Sequence, residues 1–176
     1  LIQIAKEQNM AKTFITGFFR TRAAAEAAVD ALIKRGYSRD DISVLMSDAT
    51  RNKEFAVQAK SHAADGLGIG GAIGGTVGAV LAAIVGVGTA IAIPGLGLVV
   101  AGPIAAALAG AGAGAATGGL VGLLVGTGIP EHRAKVYDTD VRGGGILLGV
   151  EAKTDDDVEK LETLLEDIGA ENVRTK

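Results

Sequence analysis

The chain has no cysteine and no tryptophan, and only 3% of its residues are aromatic. Without cysteine there is no disulfide, no thiolate nucleophile and no sulfur-based metal centre, a composition that fits a reducing compartment. With so few aromatics and a net charge of −3, the chain lacks the basic, base-stacking surface that nucleic-acid binding needs, and no nucleic-acid partner is expected. The opening residues LIQIAKEQNMAKTF have no long apolar core of a secretory signal. Residues 1-12 read as an N-terminal tail, with Met10 as a candidate start of translation.

The sharpest absence is local. From Gly66 to Pro130 there is no Asp, Glu, Lys, Arg or His, so all 17 basic and 20 acidic residues fall in the flanks. The flanks have the composition of a water-facing domain and the middle does not. The chain therefore divides into a first half of an α+β domain (13-49), a connector (50-65), a Gly/Ala-rich helical hairpin (66-129), a short helix and joint (130-145) and a second half of the domain (146-176).

The two flanks follow one plan. Phe14 to Phe19 is rich in strand formers, Thr21 can cap a helix with Ala25, Val29, Leu32 and Ile33 on one face, and Gly36 ends it. After the polar Ser38-Arg39-Asp40-Asp41, Ile42, Val44 and Met46 alternate with Ser43 and Leu45 as a strand requires. Near the C-terminus, Ile146 to Glu151 forms a strand, and Thr154 with Asp157 offers a capping box. Val158, Leu161, Leu165 and Ile168 make a helical stripe, Gly169 ends it, and Glu171 to Thr175 is a last strand. Two such units in the order β-α-β-β-α-β predict a ferredoxin-like antiparallel sheet with both helices on one face. The Gly/Ala-rich hairpin is then an insertion between the second and third strands, and the open face or an edge strand is free for dimerisation.

The central segment carries two series of small residues at period four. Gly66, Gly70, Gly74 and Gly78 continue through Ala82, Gly86 and Ala90; Gly102 and Ala106 lead into Gly110, Gly114, Gly118, Gly122 and Gly126. Between them Pro94-Gly95-Leu96-Gly97 is a helix breaker, which predicts two antiparallel helices. Small residues four apart let helix backbones approach closely, as in membrane helix pairs, whereas each interior glycine costs a helix in water about 1 kcal/mol. Gly66 to Ile93 amounts to about 42 Å of helix against a hydrocarbon core of about 30 Å. Three arrangements meet this pattern: a two-span hairpin, a re-entrant or monotopic one, or a hairpin buried in a multimer or filament. If the hairpin spans, Arg51, Lys53, Lys60, Arg133 and Lys135 at its feet place the α+β domain in the cytoplasm.

Motifs for chemistry are weak. His62 and His132 stand at the two feet of the segment without a carboxylate cluster, so no metal site is expected. GLGIGG at Gly66 has a shifted phosphate-loop spacing with no following Lys-Ser/Thr, and nucleotide binding is rejected. Asp155-Asp156-Asp157 in a first helical turn is explained by the helix dipole. Arg142-Gly143-Gly144-Gly145 reads as a flexible joint that lets the domain move against the hairpin. No nucleophile, base and orienting group recur at workable spacings, so neither an enzyme nor a cofactor is expected.

FITGFFRTRAAAEAAVDALIKRGYSRDDISVLMSD, the Gly/Ala hairpin and GIPEHRAKVYDTDVRGGGILLGVEA together resemble the small bacterial general stress proteins with a heat-induced-stress-protein domain. The resemblance covers nearly all of residues 11 to 174 and its motifs are architectural. It implies a prokaryotic stress-associated protein, an aromatic first strand at Phe14 to Phe19, Gly36 at a helix end, and a short helix opened by Gly128-Ile129-Pro130-Glu131 and running through Tyr137. It carries no active-site residue.

The sequence thus predicts a non-enzymatic stress-associated protein, membrane-anchored by a glycine-zipper hairpin that mediates self-association, with a lipid bilayer and further copies of the chain as partners. The alternative is a soluble structural protein that assembles in the cytoplasm into an oligomer or filament through buried hairpins. A third class, a regulatory domain with a small ligand on its sheet, rests on fold analogy alone.

Overall fold

The computed structural model describes residues 13–55, 84, 91–93, 95–105, 114–126 and 129–175. The chain enters through β1 (Phe14–Phe19), and Thr21 then accepts the N–H of Ala24 at 3.3 Å, opening α1 (Arg22–Lys34). Ala25, Ala28, Val29 and Leu32, three and four residues apart, form the buried stripe of α1. A single 3₁₀ turn at Arg39–Asp41, held by a reciprocal Ser38/Asp41 capping box, leads into β2 (Ile42–Ser47) and the short α2 (Asp48–Glu54). Then come β3 (Ile91–Ile93), β4 (Leu98–Ala101), α3 (Gly114–Gly126), α4 (Glu131–Arg142), β5 (Ile146–Glu151), α5 (Asp155–Asp167) and β6 (Glu171–Thr175).

The strands make one α+β sheet in the order β3-β4-β2-β5-β1-β6, every neighbouring pair antiparallel. Its two faces carry separate cores, because successive side chains of a strand point to opposite sides. Ile15, Phe19, Ile42, Val44, Met46, Ile146, Leu148 and Val150 share one core with Val29 and Leu32 of α1 and Leu161 and Leu165 of α5. Phe18, Leu45, Leu98, Val100 and Leu147 share the other with Leu120, Leu123 and Leu124 of α3 and Ala134, Tyr137 and Val141 of α4. Helices α1 and α5 lie on one face, as the sequence predicts. The opposite face, expected to be open for dimerisation, is covered by the chain's own α3 and α4.

The central segment departs most from expectation. No helix among the described residues is long and apolar enough to cross a membrane, which overturns the membrane anchor, the transmembrane helix and the membrane localisation. Around the Pro-Gly turn the chain is strand, not helix: β3 pairs β4 (Ile91↔Val100, Ile93↔Leu98), and β4 pairs β2 (Val44↔Ala101, Ser47↔Leu98). The β-branched Ile and Val on both sides of the turn favour strand. The otherwise unpaired edge of β2 supplies hydrogen-bond partners, and Asp48 N–H donates to the Gly97 carbonyl at 2.7 Å, fixing the hairpin tip.

The second glycine series is likewise divided among several tasks. Gly102 ends β4 at φ +82, and a Cβ there would overlap the Ile42 carbonyl oxygen and lie 2.8 Å from Ser43 Cα. Its glycine is therefore set by a left-handed turn pressed against β2. Gly119 (φ 59, ψ −150) breaks α3, so Gly118 and Gly122 do not share one continuous helical face. The helix is about 20 Å long, short of a bilayer core of about 30 Å. Gly66, Gly70, Gly74, Gly78, Gly86 and Gly110, with the tail and residues 56–65, lie outside the described residues.

Within the joint expected at Arg142 to Gly145, Gly145 itself is tightly packed. A Cβ on Gly145 would run into the ring of Phe18, whose Cε1 lies at 3.0 Å with Cζ and Cε2 nearer still. Gly145 is thus the residue that lets α4 turn directly into β5 over an aromatic core side chain.

Candidate functional site

Two surfaces stand apart from the structural core. The first belongs to the α3–α4 pair. Tyr137 fastens α4 to the sheet: its hydroxyl donates to the Asn172 carbonyl at 3.2 Å and shares a buried 2.8 Å bond with Thr16 Oγ1. Exposed residues of the pair include Gly118, Val125 and Gly126 on α3 and Val136 on α4. Val125 and Val136, 41% and 46% exposed, are the two large apolar side chains left exposed among the described residues. Gly118 has nothing within 4 Å of where a Cβ would sit. Of the zipper residues, Gly118, Gly122 and Gly126 are on this helix; Gly114 begins it.

The second surface is a cleft of about 400 Å³ lined by Arg35, Tyr37, Lys153, Asp157, Lys160 and Leu161. It forms where the end of α1 meets the beginning of α5. Gly36, at φ +88, turns the chain out of α1 and directs Tyr37 back under the helix, where only 6% of it is exposed. Lys153 spans the gap between the two units: its Nζ donates to the Gly36 carbonyl at 2.7 Å, lies 3.9 Å from the Asp41 carboxylate and stands 4.7 Å from the Tyr37 ring centroid. Arg35 donates to the Lys160 carbonyl at 3.1 Å. Thr154 caps α5 by accepting the Asp157 N–H at 3.3 Å, but the return half of the expected capping box is not made.

The electrostatics are uneven. Three cations and one carboxylate line the cleft, in a chain whose net charge is −3. The Tyr37 hydroxyl is buried and has no hydrogen-bond partner. Burial first, and then the neighbouring Asp157 carboxylate, push the phenol above its ordinary range. Tyr37 is therefore a neutral donor at any ordinary pH. The cleft was not visible in the sequence; its only trace was an aromatic residue directly after a helix-ending glycine, among charged neighbours.

Of the residues considered for chemistry, His132 is exposed on α4 and His62 lies outside the described residues. Among the described residues no group of three or more His, Asp or Glu could hold a metal ion. Asp155 and Asp156 remain exposed in the first turn of α5, where the helix dipole favours them. Comparison of the chain with protein-family models, with curated proteins and with solved structures gives no match.

Proposed function

We propose that this chain is a non-enzymatic structural protein that associates with copies of itself through the outer surface of α3 and α4. The observation that carries the reading is the exposure of apolar and small residues on these two helices: Gly118, Val125 and Gly126 on α3 and Val136 on α4. These helices adjoin or include the uncharged stretch from Gly66 to Pro130. A second copy packed on α3, which has no charged residue, removes apolar area from water there without desolvating a charge, whereas Val136 on α4 stands beside the exposed Lys135. The non-enzymatic character rests on the sequence, where no nucleophile, base and orienting group recur. The stress-associated setting rests on the family resemblance alone.

The strand order β2-β5-β1-β6 supports reading β1-α1-β2 and β5-α5-β6 as a ferredoxin-like core. In that reading the segment from α2 to α4 is an insertion that lengthens the sheet with β3 and β4 and closes its second face with α3 and α4.

Self-association is tested by light scattering on size-fractionated full-length chain, with Gly118→Leu and with Val125→Asp combined with Val136→Asp. Because a side chain at 118 meets open space within the protomer, Gly118→Leu is expected to leave the circular dichroism spectrum and melting temperature in place while reducing the assembly. A monomeric parent chain, or assemblies of unchanged mass in both variants, would remove the proposal.

A further inference from the structure

We propose that two copies of the chain join edge to edge at β3, their strands pairing antiparallel about Ala92 so that the sheet continues from one copy into the next. β3 and β6 are the outer strands of the sheet, and the outer side of an edge strand presents main-chain N–H and C=O groups that another strand can take up. The two edges are built differently. At β6, Asn172 takes a left-handed φ of 54, the register against β1 shifts between Thr16 and Phe18, and Glu171, Asn172 and Arg174 are exposed. The carbonyls of Asn172, Val173, Arg174 and Thr175 accept hydrogen bonds from Tyr137, the Arg174 guanidinium, Thr16 and Arg133 in turn. An irregular register, charges and occupied acceptors close an edge to further strands.

The β3 edge is regular and uncharged. Ile91–Ile93 lies within the stretch from Gly66 to Pro130 that has no charged residue, and it holds an unbroken register with β4 (Ile91↔Val100, Ala92↔Val99, Ile93↔Leu98). Among the described residues no strand pairs its outer side. The composition of the edge selects a second copy as the occupant. Ile-Ala-Ile reads the same in both directions, so an antiparallel pair with a two-fold axis at Ala92 sets residue 91 of each copy against residue 93 of the other. Every position then faces an uncharged one, and strand-favouring isoleucines stand opposite each other. A two-fold axis normal to the sheet also keeps the second faces of both copies on the same side. α3 overlies this end of the sheet, since a Leu96 side-chain atom lies 3.9 Å from where a Gly119 Cβ would sit. The two α3 helices therefore stand on one face of the joined sheet, one on either side of the seam.

This proposal rests on self-association, but on a different surface from that of α3 and α4. It is tested on the full chain by sedimentation across a concentration series, and by isotope-filtered nuclear Overhauser spectra of labelled copies mixed with unlabelled ones. Ala92 is exposed, so Ala92→Lys is expected to keep the circular dichroism spectrum of the parent while setting two like charges against each other at the seam. Association about tenfold weaker is expected in that variant, whereas Ala92→Val, uncharged and a better strand former, keeps the parental strength. Contacts between main-chain protons of residues 91–93 in different copies are expected in the parent. Parental association in Ala92→Lys, with no contacts between copies at residues 91–93, would overturn the edge pairing; if Gly118→Leu still weakens assembly, the α3 and α4 surface stands without it. A monomeric parent chain would overturn both.

Discussion

Replacing Gly145 by alanine separates two accounts of the Gly143 to Gly145 corner because they predict opposite signs. A glycine in a loose joint gains about 0.4–1 kcal/mol on conversion to alanine, since the unfolded chain has fewer states to lose. Here the new methyl group meets the Phe18 ring. Non-bonded carbons settle at about 3.5–4.0 Å, so Cε1 at 3.0 Å is already too close and two further ring atoms are closer. The ring has little room to retreat: Phe18 is 2% exposed and packs with Leu45, Leu147, Tyr137 and Val141. The backbone that follows is held as well, by Phe19↔Ile146 and Met46↔Ile146 pairing. An overpacked core site of this kind costs about 1–3 kcal/mol. Urea denaturation at equilibrium reads this as a lower midpoint with an unchanged slope. The cause is assigned with Phe18→Leu: in that background Gly145→Ala is expected to cost about 1 kcal/mol less. A stabilised or unchanged Gly145→Ala protein would refute the packed corner and restore the flexible joint.

Three further outcomes follow from single contacts. Tyr137→Phe strips α4 of its bonds to Thr16 and Asn172 and is expected to cost about 1–2 kcal/mol in the same denaturation experiment. Gly102→Ala places a side chain at φ +82 against the β2 backbone; the left-handed conformation alone costs about 1–3 kcal/mol, and amide exchange in β4 and β3 is expected to accelerate more than in β6. The Arg20 guanidinium, donating to Glu171 at 2.5 and 2.6 Å, holds that carboxyl below the usual glutamate range. A lowered folded-state pKa contributes stability above the unfolded value and loses it as pH falls through the folded one. Both groups are solvent-exposed, so the effect on stability is expected to be slight and screened by salt. Carbon-detected titration should place Glu171 below the usual glutamate range, and Arg20→Ala should raise it again.

The terminal halves were legible because their signals are local. Thr21, Gly36, Thr154 and Gly169 mark helix ends in the sequence, and the structure begins and ends α1 and α5 within a residue or two of them. The middle was not legible, because a period-four run of glycine is compatible with several structures when 27 of the 176 residues are glycine. Gly102 serves a left-handed turn, Gly119 a kink, and Gly118 an open helical surface. What turned Ile91–Ile93 and Leu98–Ala101 into strands was the waiting edge of β2, a partner distant in sequence. The same holds for the cleft, whose Arg35 and Lys160 are 125 residues apart. Both faces of β2 are buried, which its alternation alone does not reveal: Ser43, opposite Ile42, Val44 and Met46, is buried and accepts the Ile104 N–H at 3.1 Å.

The central claim is that residues 91–93, 95–105 and 114–126 of the uncharged segment are built into the sheet and its second face. It is tested most directly by nuclear Overhauser contacts in the full-length chain, together with backbone chemical shifts across residues 91–101. The account predicts extended-strand shifts at Ile91–Ile93 and Leu98–Ala101, with cross-strand contacts linking Ile93 to Leu98 and Leu45 to Val100. Helical shifts through those residues, with no contact between residues 98–101 and β2, would contradict it.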